Sequence, residues 1–156
     1  MLRGRPLIDH AVASLAPHVA NVVICGRDVA ATACLADLPG PDMGPLGGLN
    51  AALHHAAANG YVGVLSIGCD MPVLPDDVAK ALIGKDAAIV QGQHLVGYWP
   101  TILAGDLAEH LLSSGNRSIR GWLDRILPRS VFLTAPLPNI NTPLDLEALR
   151  RSWPSI

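Results

Sequence analysis

Two patterns of apolar residues alternate along this chain. One is a short unbroken run; the other is a three- and four-residue recurrence. The central run is residues 61–75, YVGVLSIGCDMPVLP. It is apolar at successive positions, as in a strand buried on both faces of a parallel sheet. It stops at Gly68-Cys69-Asp70-Met71-Pro72. Similar runs predict strands over 21–25, 86–90, near 95–98 and over 131–133. Leu35 and Ala36 close a further short strand ending at Asp37. Helices are predicted over 5–16, where Leu7, Ile8, Val12 and Leu15 share a face, and over 49–58, about 76–83, 101–112, 119–126 and 143–151. A short helix over 29–34 completes the set.

Strands alternating with helices imply right-handed crossovers and a three-layer α/β/α, mostly parallel sheet. The 156 residues predict one domain over 1–156. Half the residues are hydrophobic, 15% are charged and 4% are aromatic, which suits helices packed on such a sheet. A formal charge of −2 with no basic block gives no reason to expect nucleic acid or an acidic membrane surface as partner. Cys25, Cys34 and Cys69 have no metal-ligand spacing and predict reduced thiols in a cytoplasmic protein. The opening MLRGRPLIDH has no apolar core of a signal peptide, and no apolar run approaches the ~20 residues that span a bilayer.

In parallel α/β sheets, ligands bind beyond the carboxyl ends of the strands, where Asp70 stands. A carboxylate there can hold a metal ion and, through it, a phosphate; it can equally cap a turn or the next helix. Asp37 stands at a second strand end, where it also reads as a turn residue ahead of Pro39. Residues 39–48 are too rich in Gly and Pro for regular structure and lead into a helix. Such a loop can turn backbone N–H groups toward an anion, or serve as a tight connection. It matches neither GxGxxG nor GxxxxGK[ST]. His10 reads as a helix-surface residue. His54 and His55 diverge too far around their helix to share a metal. Asp76 and Asp77 complement a helix dipole. Thr142, Pro143 and Asp145 are spaced as a capping arrangement.

Three segments together carry a resemblance: Asp37 followed by Gly44-Pro45-Leu46-Gly47-Gly48-Leu49, then Cys69-Asp70-Met71-Pro72 with Leu74-Pro75, then Asn139-Ile140-Asn141-Thr142-Pro143. In order and spacing they are similar to molybdenum cofactor guanylyltransferases, nucleotidyltransferases with a glycosyltransferase-A-like Rossmann fold. Arg5-Pro6-Leu7-Ile8 also resembles that family's first helix. The resemblance implies transfer of GMP from GTP to molybdenum-molybdopterin, with release of pyrophosphate. It implies Mg²⁺ as cofactor, with Asp70 as the metal-binding catalytic residue. It implies that Asp37, Gly47 and Gly48 contact the nucleotide beside Asp70, and that Asn139, Asn141, Arg117 and Arg120 lie on the pterin side. Other cofactor-biosynthesis proteins and acceptor molybdoenzymes are the implied partners.

Relative to the family pattern, the sequence starts after the first strand and its glycine-rich signature. Cys25-Gly26 stands where the family often has Asn, and His94-Leu95 lacks the family's His-Pro pair. The absent strand would be central, leaving strand edges and apolar helix faces exposed. Two accounts follow: a start that lies upstream of Met1, or a shortened, non-catalytic relative that binds a nucleotide, a pterin or a partner protein. Within enzymes, a sibling using CTP or a sugar phosphate is the alternative to GTP.

Overall fold

The structure, a computed structural model, describes residues 1–26, 33–113 and 117–152. In chain order the elements are α1 (Leu7–Leu15), β1 (Val23–Cys25), β2 (Ala33–Leu35), α2 (Pro45–Ala58), β3 (Gly63–Ser66), α3 (Asp76–Leu82), β4 (Ala88–Val90), β5 (Gln93–Pro100), α4 (Ala104–Leu112), α5 (Ile119–Ile126), β6 (Arg129–Val131) and α6 (Pro143–Ser152). The α/β class holds. The strands form two sheets: a parallel pair β1–β2, and a four-stranded sheet in the order β3–β5–β4–β6.

The larger sheet is mixed rather than mostly parallel. β5 runs antiparallel to both β3 and β4, while β4 and β6 are parallel. The cause is local: only Gln91 and Gly92 join β4 to β5, and Gly92 has φ +80°. A two-residue connection can close a hairpin but cannot make a parallel crossover.

β5 is the strand enclosed on both faces. Val96 and Tyr98 face a cluster with Leu65, Met71, Val78, Leu82, Ala88 and Val90, against which Leu15 and Val19 also pack. Trp99, one residue past Tyr98 and so on the other face, packs in the opposite cluster with Leu46, Leu53, Ile89, Leu107 and Trp122. This period-two alternation puts α3 and the end of α1 on one side, and α2, α4 and α5 on the other. The 61–75 run is shorter as a strand than its apolarity predicts. Tyr61 and Val62 are exposed, pairing starts at Gly63, and β3 has a partner on one side only.

Other boundaries also move. Helix α2 starts at Pro45, inside the segment expected to be irregular, so Gly47 and Gly48 lie in its first two turns. Pro45 occupies the first helical position, where its missing N–H costs no hydrogen bond, and Gly44 takes φ +63° just before it. Residues 33 and 34, expected in a helix over 29–34, belong to β2; positions 29–32 lie outside the described residues. The last strand ends at Val131 because Phe132 turns out to solvent.

Candidate functional site

Two adjoining cavities open at the carboxyl ends of β1, β2 and β3. The larger, about 390 Å³, includes Asp37, Gly44, Gly48 and Cys69 in its walls. The smaller, about 290 Å³, includes Asp70, Gln93, His94 and Asn139. Pro45, Gly68 and Leu95 line both, so one carboxylate stands on each side of a shared boundary.

Asp37 follows β2 by two residues and is held against the start of α2. Leu38 N–H donates to the Gly47 carbonyl at 3.2 Å, and Asn50 Nδ2 donates to the Leu38 carbonyl at 3.2 Å. Asn50 is buried in a helix of Ala and Leu, and it went unremarked in the sequence; a lone amide on an apolar helix face was its signal. The glycines are packed around Asp37. A Cβ at Gly47 would lie 2.7 Å from Met43 Cβ and 3.1 Å from Asp37 Cβ. One at Gly48 would lie 2.9 Å from Cys25 Cβ, and one at Gly26 3.4 Å from Asp37 Oδ1. Gly48 reaches the cavity wall; Gly47 is buried behind it and makes room for Asp37. Burial, with further contributions from the charges of Asp37 and Cys34, pushes the Cys25 thiol up to about 11.

Asp70 stands on the turn after β3. Its carboxylate folds back over Gly68, where any Cβ would collide with it, and Met71 N–H closes the turn on the Gly68 carbonyl at 3.1 Å. The Asp70 carbonyl accepts from Ile140 N–H at 2.9 Å, which fixes the 139–141 segment beside it. Asn139 Oδ1 is buried there without a hydrogen-bond partner among the described residues. An orphaned carbonyl-type oxygen beside a carboxylate is a donor set suited to a hard cation. Among the described residues, no group of three or more His, Cys, Asp or Glu side chains converges on a metal position. A cation held here would have the Asp70 carboxylate and Asn139 Oδ1, with any further ligands coming from a bound substrate.

The remaining expected residues lie outside both cavity walls. Asn141 is exposed, and its N–H donates to Asp145 Oδ2 at 3.1 Å in the cap of α6. Thr142 completes that cap, its side chain and N–H both bonding Asp145, which lowers the Asp145 pKa. Arg117 and Arg120 are exposed at the start of α5, on either side of Ile119, which does line the smaller cavity. His10 is half-buried and bonds the Leu2 carbonyl through Nε2 at 2.9 Å, away from both cavities. Cys25, Cys34 and Cys69 are not joined in disulfides. No helix among the described residues is long and apolar enough to cross a membrane.

The comparisons with known proteins agree on one group. A molybdenum cofactor guanylyltransferase from Acidiphilium cryptum is 32% identical over 161 residues, covering 95% of this chain and 82% of the relative. One from Rhodobacter capsulatus is 32% identical over 171 residues, covering 98% and 87%. In structure, the molybdopterin-guanine dinucleotide biosynthesis protein A of Archaeoglobus fulgidus superposes with a TM-score of 0.71 at 24% identity, covering 97% of this chain and 87% of that one. The likeness in fold thus reaches beyond the likeness in sequence. The family profile described as MobA-like NTP transferase domain matches residues 1–130, and the chain belongs to that family.

Proposed function

We propose that this nucleotidyltransferase moves GMP from GTP onto molybdenum-molybdopterin, forming the guanine dinucleotide form of the cofactor and releasing pyrophosphate. The observation that carries the reading is the pair of adjoining cavities with Asp37 on one side and Asp70 on the other. The relatives named for this activity support the choice of substrates.

The nucleotide lies along the larger cavity, where Asp37 accepts hydrogen bonds from it and Gly48 lets it approach the backbone of α2. The pterin lies along the smaller cavity, with Asn139 beside it and Arg117, Arg120 and Asn141 at its rim. A terminal phosphate oxygen of the pterin forms a bond to the α-phosphorus. The bond from that phosphorus to the α–β bridging oxygen breaks, and pyrophosphate leaves with the electron pair. The residues that fit Mg²⁺ are Asp70 and, through its orphaned Oδ1, Asn139. When bound there, the ion offsets repulsion between the two anionic substrates and stabilises the leaving pyrophosphate. The residues of the chain supply position rather than a covalent partner: Asp37 orients one substrate, and Asp70 and Asn139 fix where the phosphates sit. The same reading puts the work of the protein in the cytoplasm.

The test is calorimetric titration with GTP, with and without Mg²⁺, followed by pyrophosphate release on addition of molybdenum-molybdopterin. Binding that depends on Mg²⁺, with turnover reduced more than about 100-fold by Asp70→Ala, is expected. CTP competing as well as GTP would move the assignment to a different base. GTP binding without any pyrophosphate release would make the protein a binding module.

A further inference from the structure

Between β4 and β5 the register slips. Ala88 pairs with Tyr98 and Ile89 with Gly97, but the next residue, Val90, pairs with Gln93. One step along β4 thus answers to a jump from residue 97 to residue 93 on β5, and His94, Leu95 and Val96 have no partner there. On the other side, pairing with β3 ends at Ser66 and Gly97, before it reaches them. Bulges of this kind re-aim side chains and are common beside active sites. This one is tied at two points. Ser66 Oγ donates to the Leu95 carbonyl at 2.7 Å, and the Val96 side chain is buried in the core with Met71 and Leu137. All three bulge residues line the smaller cavity, together with Asp70 and Asn139.

His94 is the member of the bulge that the fold leaves uncommitted. It is half-buried, and its ring makes no hydrogen bond among the described residues. Its neighbour Leu95 stands on the boundary shared by the two cavities. Among the described residues lining the smaller cavity, His94 is the one side chain that can carry a positive charge. Arg117 and Arg120 are exposed and lie outside that wall. An imidazole also donates an N–H when neutral, so in either state it suits a phosphate oxygen. The reaction proposed above brings a phosphomonoester on the acceptor to that boundary, where the Asp70 carboxylate repels it unless a cation or a donor intervenes.

We propose that His94 binds the terminal phosphate of the acceptor, donating a ring N–H to one oxygen while another oxygen attacks the α-phosphorus. The proposal rests on the reading of the smaller cavity as the acceptor's side. His94 forms no covalent bond and takes no proton in the transfer. It makes the site selective: a pterin that ends in a phosphomonoester is held, and the same pterin ending in a hydroxyl is not. The bulge is what makes this possible, because a regular ladder over 94–96 would commit that backbone to strand partners.

The experiment titrates the full chain with two probes, 6-hydroxymethylpterin phosphate and 6-hydroxymethylpterin, followed by pterin fluorescence in the absence of GTP. The phosphorylated probe is expected to bind at least about tenfold more tightly. His94→Ala should abolish that preference. His94→Arg, which returns a cationic donor, should restore most of it, a rescue that a merely structural role would not show. In both variants the urea midpoint and Mg²⁺-dependent GTP binding should match the unsubstituted chain. Equal binding of the two probes, or a phosphate preference that survives His94→Ala, would overturn the proposal. Loss of Mg²⁺-dependent GTP binding in His94→Ala with the phosphate preference intact would also overturn it, by making His94 a ligand of the cation. The titration needs no turnover, which separates it from the reaction. A phosphate preference lost in His94→Ala, in a chain that releases no pyrophosphate, would sink the guanylyl-transfer reading and leave the phosphate site standing.

Discussion

Gly47 sits in the first turns of α2 with no room for a methyl group. Alanine normally improves a helix over glycine by about 1 kcal/mol. Here its Cβ would lie 2.7 Å from Met43 Cβ and 3.1 Å from Asp37 Cβ, neither of which is the far end of a flexible side chain. Overpacking of that kind costs about 1–3 kcal/mol, so the clash outweighs the propensity. Gly47→Ala is expected to lower stability in urea and to weaken GTP binding by displacing Asp37. Gly105→Ala in α4, where nothing lies within 4 Å, should instead raise stability by about 0.5–1 kcal/mol. Cys25 gives a second reading of the same corner. With its pKa raised to about 11 it is protonated at neutral pH, so a thiol-directed alkylating agent should modify exposed Cys69 first. A thiol raised in the fold binds its proton more tightly there than in the unfolded chain. Stability should therefore fall as pH rises from about 9 toward about 11. Asp37→Asn removes one contributing charge and should move the onset of Cys25 alkylation to lower pH, while burial keeps it above an ordinary thiol.

Among the elements, those decided by neighbours in sequence were legible in the sequence. The cap of α6 is one: Asp145 N–H donates to Thr142 Oγ1 at 3.2 Å, and Thr142 N–H returns a bond to Asp145 Oδ2 at 2.8 Å. The direction of β5 was legible in principle from the two residues before it, but a run of apolar residues by itself says nothing of strand sense. What joins β3 to β5 was out of reach, because its partners are far apart in the chain. Trp99 Nε1 donates to Ser66 Oγ at 2.8 Å, and Ser66 Oγ donates to the Leu95 carbonyl at 2.7 Å. The Trp99 ring is fully buried, so Ser66→Ala leaves its N–H without that acceptor. A buried donor left unsatisfied costs about 1–3 kcal/mol. Chemical denaturation should show that loss. Ser66→Ala should also loosen the end of β3 that carries Asp70, raising the GTP concentration needed for half-saturation more than a remote variant of equal stability cost. An unchanged midpoint would mean that another group takes the Trp99 proton.

For the whole molecule, the sequence marked which strand ends carry carboxylates better than how the strands are divided between sheets. Asp37 and Asp70 both follow short apolar runs, and both stand at strand ends on one side of the fold. Arg117 and Arg120 were drawn in by resemblance, and their exposure at the start of α5 leaves them at the rim. The division into two sheets has an energetic consequence that no local pattern carries. β3–β5–β4–β6 lies between two apolar clusters, whereas β1–β2 is a pair of three-residue strands with one partner each. A two-stranded sheet is marginal unless packing supports it, and here that support comes from α2. Native-state hydrogen exchange should therefore separate the two. The Gly26 amide, bonded to the Leu35 carbonyl at 3.2 Å, should exchange through an opening that lies about 2 kcal/mol or more below the opening that releases the β5 amides of Tyr98 and Trp99. Asp37 follows β2, so the side proposed for the nucleotide belongs to the part that opens first, and Asp70 to the part that opens last. GTP should then raise the Gly26 opening energy by more than it raises that of β5, because binding stabilises most what it must hold closed. Equal opening energies for both sheets would mean that the molecule unfolds as one cooperative unit.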